Sequence, residues 1–167
     1  MSADADCDAD GDTDADADSK VDADAIERHL RRGVDEYGLF RWLDLDFEVL
    51  EPGRVAMSVP FDEKFVNLTG RTIHGGITAA LIDTASGFAL RSTFERPEAA
   101  SLTTTDLNVR YVRPARDDVR AAAEVVRAGR SMGVTEVTVT STTPDGEERT
   151  VATGGTTYRI FRGEGDE

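Results

Sequence analysis

The amino-acid sequence specifies an α+β domain, a curved antiparallel sheet of five or six strands wrapped around one long helix. Three features lead to this class. Thr72 to Phe94 (TIHGGITAALIDTASGFALRSTF) is the longest stretch that behaves as a single helix. At about 100° per residue, Leu81, Thr84 and Phe88 fall within about 40° of Ile77, an apolar stripe fit to face a sheet. Ahead of it, two short alternating segments straddle Glu51-Pro52-Gly53, and after it four longer strand-like segments follow with short turns, which reads as an antiparallel meander.

The elements follow in order. Residues 1–24 repeat Asp-Ala and have almost nothing to bury, so they are expected to form a disordered acidic tail, leaving 25–165 as the folded domain. From Asp24 to about Arg32 an Asp N-cap precedes helix formers that set Ile26, Leu30 and Val34 on one side of a short amphipathic helix. His29 on that helix reads as a surface residue. Gly38 interrupts, and Phe40, Trp42 and Leu43 supply apolar anchors. In Asp44 to Leu50 and Arg54 to Pro60, Phe47, Val49, Val55, Met57 and Val59 alternate with polar or small residues, as a half-buried hairpin requires.

Phe61 to Arg71 is a loop carrying Asn67 and Gly70 to the start of the long helix. Beyond the Glu95 to Ala100 loop come LTTTDLNVRYV, DVRAAAEVVRA, GVTEVTVTSTT and, past a turn at Pro144-Asp145-Gly146, RTVATGGTTYRIF. Gly154 and Gly155 in the last strand mark a bulge or bend where the sheet curls.

A chain of 167 residues is long enough for one domain with a real core. Hydrophobic residues make up 39%, and no apolar run approaches the roughly 18 residues of a membrane span. The acidic N-terminus lacks a basic region followed by an apolar stretch, so the expected setting is the cytoplasm, with no membrane partner. Net charge is −14, and the ten Asp of residues 1–24 against Lys20 account for −9 of it. Only Lys20 and Lys64 stand beside seventeen arginines, and with the acid excess this resembles proteins of salt-loving archaea. Such a charge opposes nucleic acid as a partner, because phosphates are repelled. Cys7 is alone and the histidines are two, His29 and His74, so neither an internal disulfide nor a zinc site is expected, and no metal is invoked.

The second face of the long helix carries Gly76, Ala79, Ala80, Asp83, Gly87 and Leu90, small residues with one carboxylate among them. Asp83 has two readings, a solvated side chain or a catalytic carboxylate. Gly75 and Gly76 bear on the choice. The first amides of a helix have no partner within it, and glycines leave them accessible to a carbonyl or an anion. Gly75 and Asp83 are eight residues apart, roughly 12 Å along one helix axis. One small reacting centre cannot touch both. If both act on one carbonyl, the carboxylate comes from a second copy, and the active sites lie at the interface of a dimer.

From about Phe47 to Phe161 the residues resemble the hot-dog-fold acyl-CoA thioesterases of the PaaI (phenylacetate-degradation) type, within the 4-hydroxybenzoyl-CoA thioesterase superfamily. The resemblance rests on Asn67, Gly70, His74-Gly75-Gly76, Asp83 eight residues after Gly75, and LNVRYVRPA followed by Gly129-Arg130. It implies hydrolysis of a thioester to free acid and coenzyme A. The Gly75 backbone N–H would polarise the thioester oxygen, and Asp83 of a neighbouring subunit would act as base or nucleophile. Asn67 would hold water or carbonyl, His74 would brace the loop, and Thr104 would orient the water. Gly76, Arg113, Arg130 and Ser131 would contact substrate, with Arg116 a further arginine for the coenzyme A phosphates.

No cofactor beyond the coenzyme A of the substrate is implied, and dimers or tetramers built from two dimers are expected. In one respect the chain departs from the family: Arg71, Thr72 and Ile73 put three residues between Gly70 and His74, where two are usual. Two other readings share the fold. An acyl-CoA hydratase is disfavoured because no aspartate stands a few residues before His74. A module that binds acyl-CoA without reacting would leave Asp83 and Asn67 idle.

Overall fold

The computed structural model describes residues 23–143 and 145–162. The expected acidic tail falls almost wholly outside them, as does Pro144. Helix α1 (Ala23–Glu36) is longer than expected and starts before Asp24, which lies in its first turn; Ile26, Leu30 and Val34 are buried on one face. Helix α2 (Gly38–Leu43) replaces the expected irregular anchor segment. Gly38 opens this helix, and Asp44, at φ 53°, ends it in the left-handed region. Its four aromatic and aliphatic side chains, Leu39, Phe40, Trp42 and Leu43, have no strand periodicity, and propensity alone does not mark so short a helix.

Strands β1 (Asp46–Glu51) and β2 (Arg54–Val59) form the expected hairpin, with Gly53 at φ 78° in its turn. After a single 3-10 turn at Glu63–Phe65, helix α3 (Gly75–Arg91) crosses the sheet. Then come β3 (Ala100–Tyr111), β4 (Val119–Ala128), β5 (Met132–Thr142) and β6 (Glu148–Arg162).

The sheet order is β1-β2-β4-β5-β6-β3, antiparallel throughout. The expected meander therefore holds only for β4-β5-β6. Strand β3 crosses to the far edge and pairs with β6 alone, and β4 takes the place beside β2. Strand spacing fixes how many strands there are, whereas the order is set by where α3 delivers the chain. The outer edge of β3 is left with unpaired backbone groups.

The stripe expected on α3 is displaced. Leu81 and Phe88 are buried, but Ile77 and Thr84 are only half-buried, and Thr78, Ile82, Ala85, Ser86, Ala89 and Leu90 are buried instead. Because the sheet curls around the helix, more than one stripe is covered, and small residues allow the close approach. Ser86 accepts a hydrogen bond from Thr135 Oγ1 at 2.8 Å, and Thr135 lies 2.9 Å from the Thr156 hydroxyl, so this buried polar contact ties the helix to β5 and β6.

Gly154 and Gly155 lie at no bulge. In the pairings of β6 the shifts of register fall elsewhere, at Thr105 of β3, between Thr104 and Asp106, and at Val151 of β6, opposite Val139 and Thr140. A Cβ at Gly154 would stand 2.1 Å from the Asn108 carbonyl oxygen, and one at Gly155 would stand 2.1 Å from that of Thr135. These glycines let neighbouring backbones close up where the sheet bends around α3.

Candidate active site

Asp83 sits midway along α3, half-buried, and faces β3 and β6. The Thr104 hydroxyl of β3 donates to Asp83 Oδ1 at 2.9 Å. The Tyr158 phenol of β6 reaches the same Oδ1 at 2.8 Å and the Asp83 backbone carbonyl at 2.6 Å. Asp83 is thus held by the sheet of its own chain. Oδ2 meets no donor among the described residues. Burial, and then the negative charge of Asp83, push the Tyr158 phenol well above its ordinary value, so it keeps its proton and stays a donor.

The cavity beside this cluster is about 520 Å³ and is lined by Leu30, Gly33, Phe40, Phe88 and Leu102, with His29 and Arg91 at polar positions. His29, read from the sequence as a surface residue, is half-buried against this cavity. The Arg91 guanidinium donates through one nitrogen to the Pro97 and Ala100 carbonyls, each at 3.0 Å. Of the aromatic residues, Phe40 and Phe88, their rings 5.7 Å apart, line this cavity together with Tyr37 and Tyr158, while Phe65 is buried in the core against Trp42.

The helix start is built differently. His74 is the N-cap of α3, with φ −59° and ψ 131°, and its ring Nδ1 accepts the Gly76 N–H at 2.9 Å. The Gly75 N–H meets no acceptor among the described residues. The Gly75 carbonyl accepts from the Tyr111 hydroxyl at 2.6 Å.

The preceding loop is closed by a bridge between Val66 and Ile73 and turns at Gly70, φ 69°. Asn67 spends its side chain on that loop: its amide donates to the Thr72 hydroxyl, and its oxygen accepts the Thr69 N–H at 3.1 Å and the Thr69 hydroxyl. Arg71, Thr72 and Ile73, the three residues between Gly70 and His74, lie in this loop, and Thr72 accepts the Asn67 amide. Asn67, Gly75 and Arg113 line a cavity of about 390 Å³ distinct from that of Asp83.

Of the expected site residues, Asp83 and Thr104 come together on one side, and Asn67, His74, Gly75, Gly76 and Arg113 gather on the other. Arg113 is exposed and donates to the Thr150 carbonyl at 2.9 Å. Arg130 and Ser131 occupy the β4–β5 turn, exposed, and line neither cavity; the Ser131 carbonyl accepts the Ile160 N–H at 3.0 Å. Arg116 is exposed between β3 and β4.

Tyr158 is the residue that the sequence reading missed. Its signal was present: Thr156, Tyr158 and Ile160 alternate on one face of the last strand, and the phenol among them needs a partner if buried. No group of three or more His, Cys, Asp or Glu able to hold a metal ion occurs among the described residues. No described helix is long and apolar enough to cross a membrane.

A curved six-stranded sheet around one helix, with a carboxylate on that helix and an open amide at its start, defines the protein as one of the hot-dog class. The thioesterase superfamily model matches residues 70–147. A Halobacterium salinarum protein provisionally named an esterase is 42% identical over 145 residues, spanning 84% of this chain and 96% of that one. Human acyl-coenzyme A thioesterase 13 is 36% identical over 92 residues, 54% of this chain and 63% of its own length. The crystal structure of a thioesterase family protein from Silicibacter pomeroyi superposes with a TM-score of 0.76 at 30% identity, covering 83% of this chain and 99% of that one. The chain belongs to the thioesterase superfamily.

Proposed function

We propose that the protein is an acyl-CoA thioesterase whose active site is shared between two copies of the chain. The observation that carries this reading is the separation of Asp83 from Gly75 into two cavities of one chain, each holding half of what thioester hydrolysis needs. The Gly75 N–H, at the positive end of α3, polarises the thioester oxygen. Asp83 of the other copy takes a proton from water through Oδ2. The water oxygen bonds to the carbonyl carbon, the carbon–sulfur bond breaks, and coenzyme A leaves as thiolate and is then protonated. Membership of the thioesterase superfamily and the acyl-CoA substrate named in the human relative support the substrate class.

A second copy has an edge to join. Strand β3 has one free side, and Leu107 and Tyr111 on it are 41% and 54% exposed. Pairing across a two-fold axis at that edge covers them and brings the Tyr111-buttressed Gly75 of one chain toward its mate. Arg113, Arg116 and Arg130 supply positive charge for coenzyme A on an otherwise acidic protein.

The test is free-thiol release from a panel of acyl-CoA esters at high salt, by the native chain, Asp83→Ala, Gly75→Pro and the two variants co-expressed. Proline suits the backbone of a first helical position and removes the amide donor, but a Cβ at Gly75 would stand 3.0 Å from the Tyr111 ring, so circular dichroism must show that the variant folds with Tyr111 displaced. Each variant alone is expected to lose turnover, and hybrids carrying both are expected to regain part of it, because one of their two sites is wholly native. Binding of acyl-CoA without thiol release identifies the non-reacting module instead, and failure of the hybrids to recover sinks the shared site.

A further inference from the structure

We propose that Tyr158 is a positioning residue that fixes the Asp83 carboxylate, and that Gly87 is the gap in α3 that admits its hydroxyl. This rests on the reading of Asp83 as the catalytic carboxylate. The phenol oxygen lies 2.8 Å from Oδ1 and 2.6 Å from the main-chain carbonyl of the same residue. A donor placed between the side-chain and backbone oxygens of one residue restricts the rotation that relates them, so Asp83 is held in one rotamer. Thr104, at 2.9 Å, reaches Oδ1 from the neighbouring strand, so that oxygen is occupied from two directions and Oδ2 is the one left for chemistry.

Both donors stand on strands rather than on α3, which makes the carboxylate rigid relative to the sheet. The partners' spacing on the sheet supports the pairing, since Thr104 and Tyr158 face each other in the β3–β6 register.

Gly87 completes the arrangement. It is one turn beyond Asp83, and a Cβ there would stand 3.1 Å from the Tyr158 oxygen and 3.6 Å from the ring carbon that bears it. The hydroxyl, not the ring, is what the glycine makes room for. Burial keeps the phenol protonated, so it remains a donor over the pH range in which the carboxylate works.

The test compares Tyr158→Phe, Gly87→Ala and the double variant of the full chain on the acyl-CoA ester that the native protein hydrolyses fastest. Tyr158→Phe is expected to lower kcat on the order of tenfold to a hundredfold with KM changed less than about twofold, the signature of a misplaced reacting group. Gly87→Ala is expected to lower kcat by displacing the hydroxyl, and the double variant to be no slower than Tyr158→Phe alone. A merely structural pair would instead give losses that multiply, or would raise KM in step.

Crystal structures of native protein and Tyr158→Phe supply a reading independent of turnover, with the Asp83 side chain expected to leave its native rotamer. Native kcat in Tyr158→Phe, multiplying losses, or an unmoved Asp83 each overturn the proposal. Should the native chain hydrolyse no thioester, the functional reading fails while the crystallographic comparison still decides the positioning role.

Discussion

Asp83 and Gly75 stand two turns apart on α3, and the surroundings that hold them have little in common. The carboxylate is gripped by side chains from β3 and β6, strands paired to each other over eleven positions, and the helix beneath it is buried on most sides. The glycine amide lies at a terminus framed by a loop, where His74 and Gly76 are exposed and Asn67 is occupied with holding the loop closed. One half of the site is set by the fold itself. The other is set by local hydrogen bonds among residues 67–76, where a second chain has room to approach. If the proposed site is right, the group that must keep one rotamer sits on packed structure, whereas the group contributed by the backbone needs only a correct helix start.

That contrast can be broken or sharpened by substitution. Asp83→Asn keeps the packing and removes the charge, so turnover is expected to fall on the order of a thousandfold with an unchanged melting temperature, read by thiol release and circular dichroism. Gly75→Pro deletes the amide donor and is expected to cost about a hundredfold in kcat. Gly155→Ala tests the fold rather than the site. Its Cβ meets the Thr135 carbonyl oxygen, and urea unfolding is expected to show a loss of about 3 kcal/mol.

His74→Ala strips the cap from α3 and is expected to lower stability by about 1 kcal/mol. The smallest effect concerns pH. The phenol of Tyr158 is raised in the folded chain, so folding favours its protonated form; that contribution is intact below the ordinary tyrosine value near pH 10 and fades as pH rises above it. Tyr158→Phe should therefore flatten the fall in stability above about pH 10, measured by urea titration.

Much of this was legible in the residues. The long helix, the strand segments and the glycines at its start follow from period and from turn chemistry, and the eight-residue interval separated Gly75 from Asp83 before any coordinates. Strand order was not legible, because alternation marks a strand without naming its neighbour, and β3 is exposed along nearly its whole length. Helix α2 was hidden by its six residues. The engagement of Asn67 depends on Thr69 and Thr72 folding back on it, a contact of shape rather than of spacing. Tyr158 was missed because a tyrosine late in a strand looks like ordinary core until β6 is known to pack on the helix face that carries Asp83 and Gly87.

If the Gly75 amide receives the substrate as proposed, the imidazole of His74 bears on selectivity. By occupying the second amide of α3 it leaves a single N–H at the terminus, which suits one oxygen atom and not the several oxygens of a phosphate. A molecule carrying both a carbonyl and a pyrophosphate meets there a donor sized for the carbonyl, so the same capping contact that starts the helix also sorts the groups competing for it.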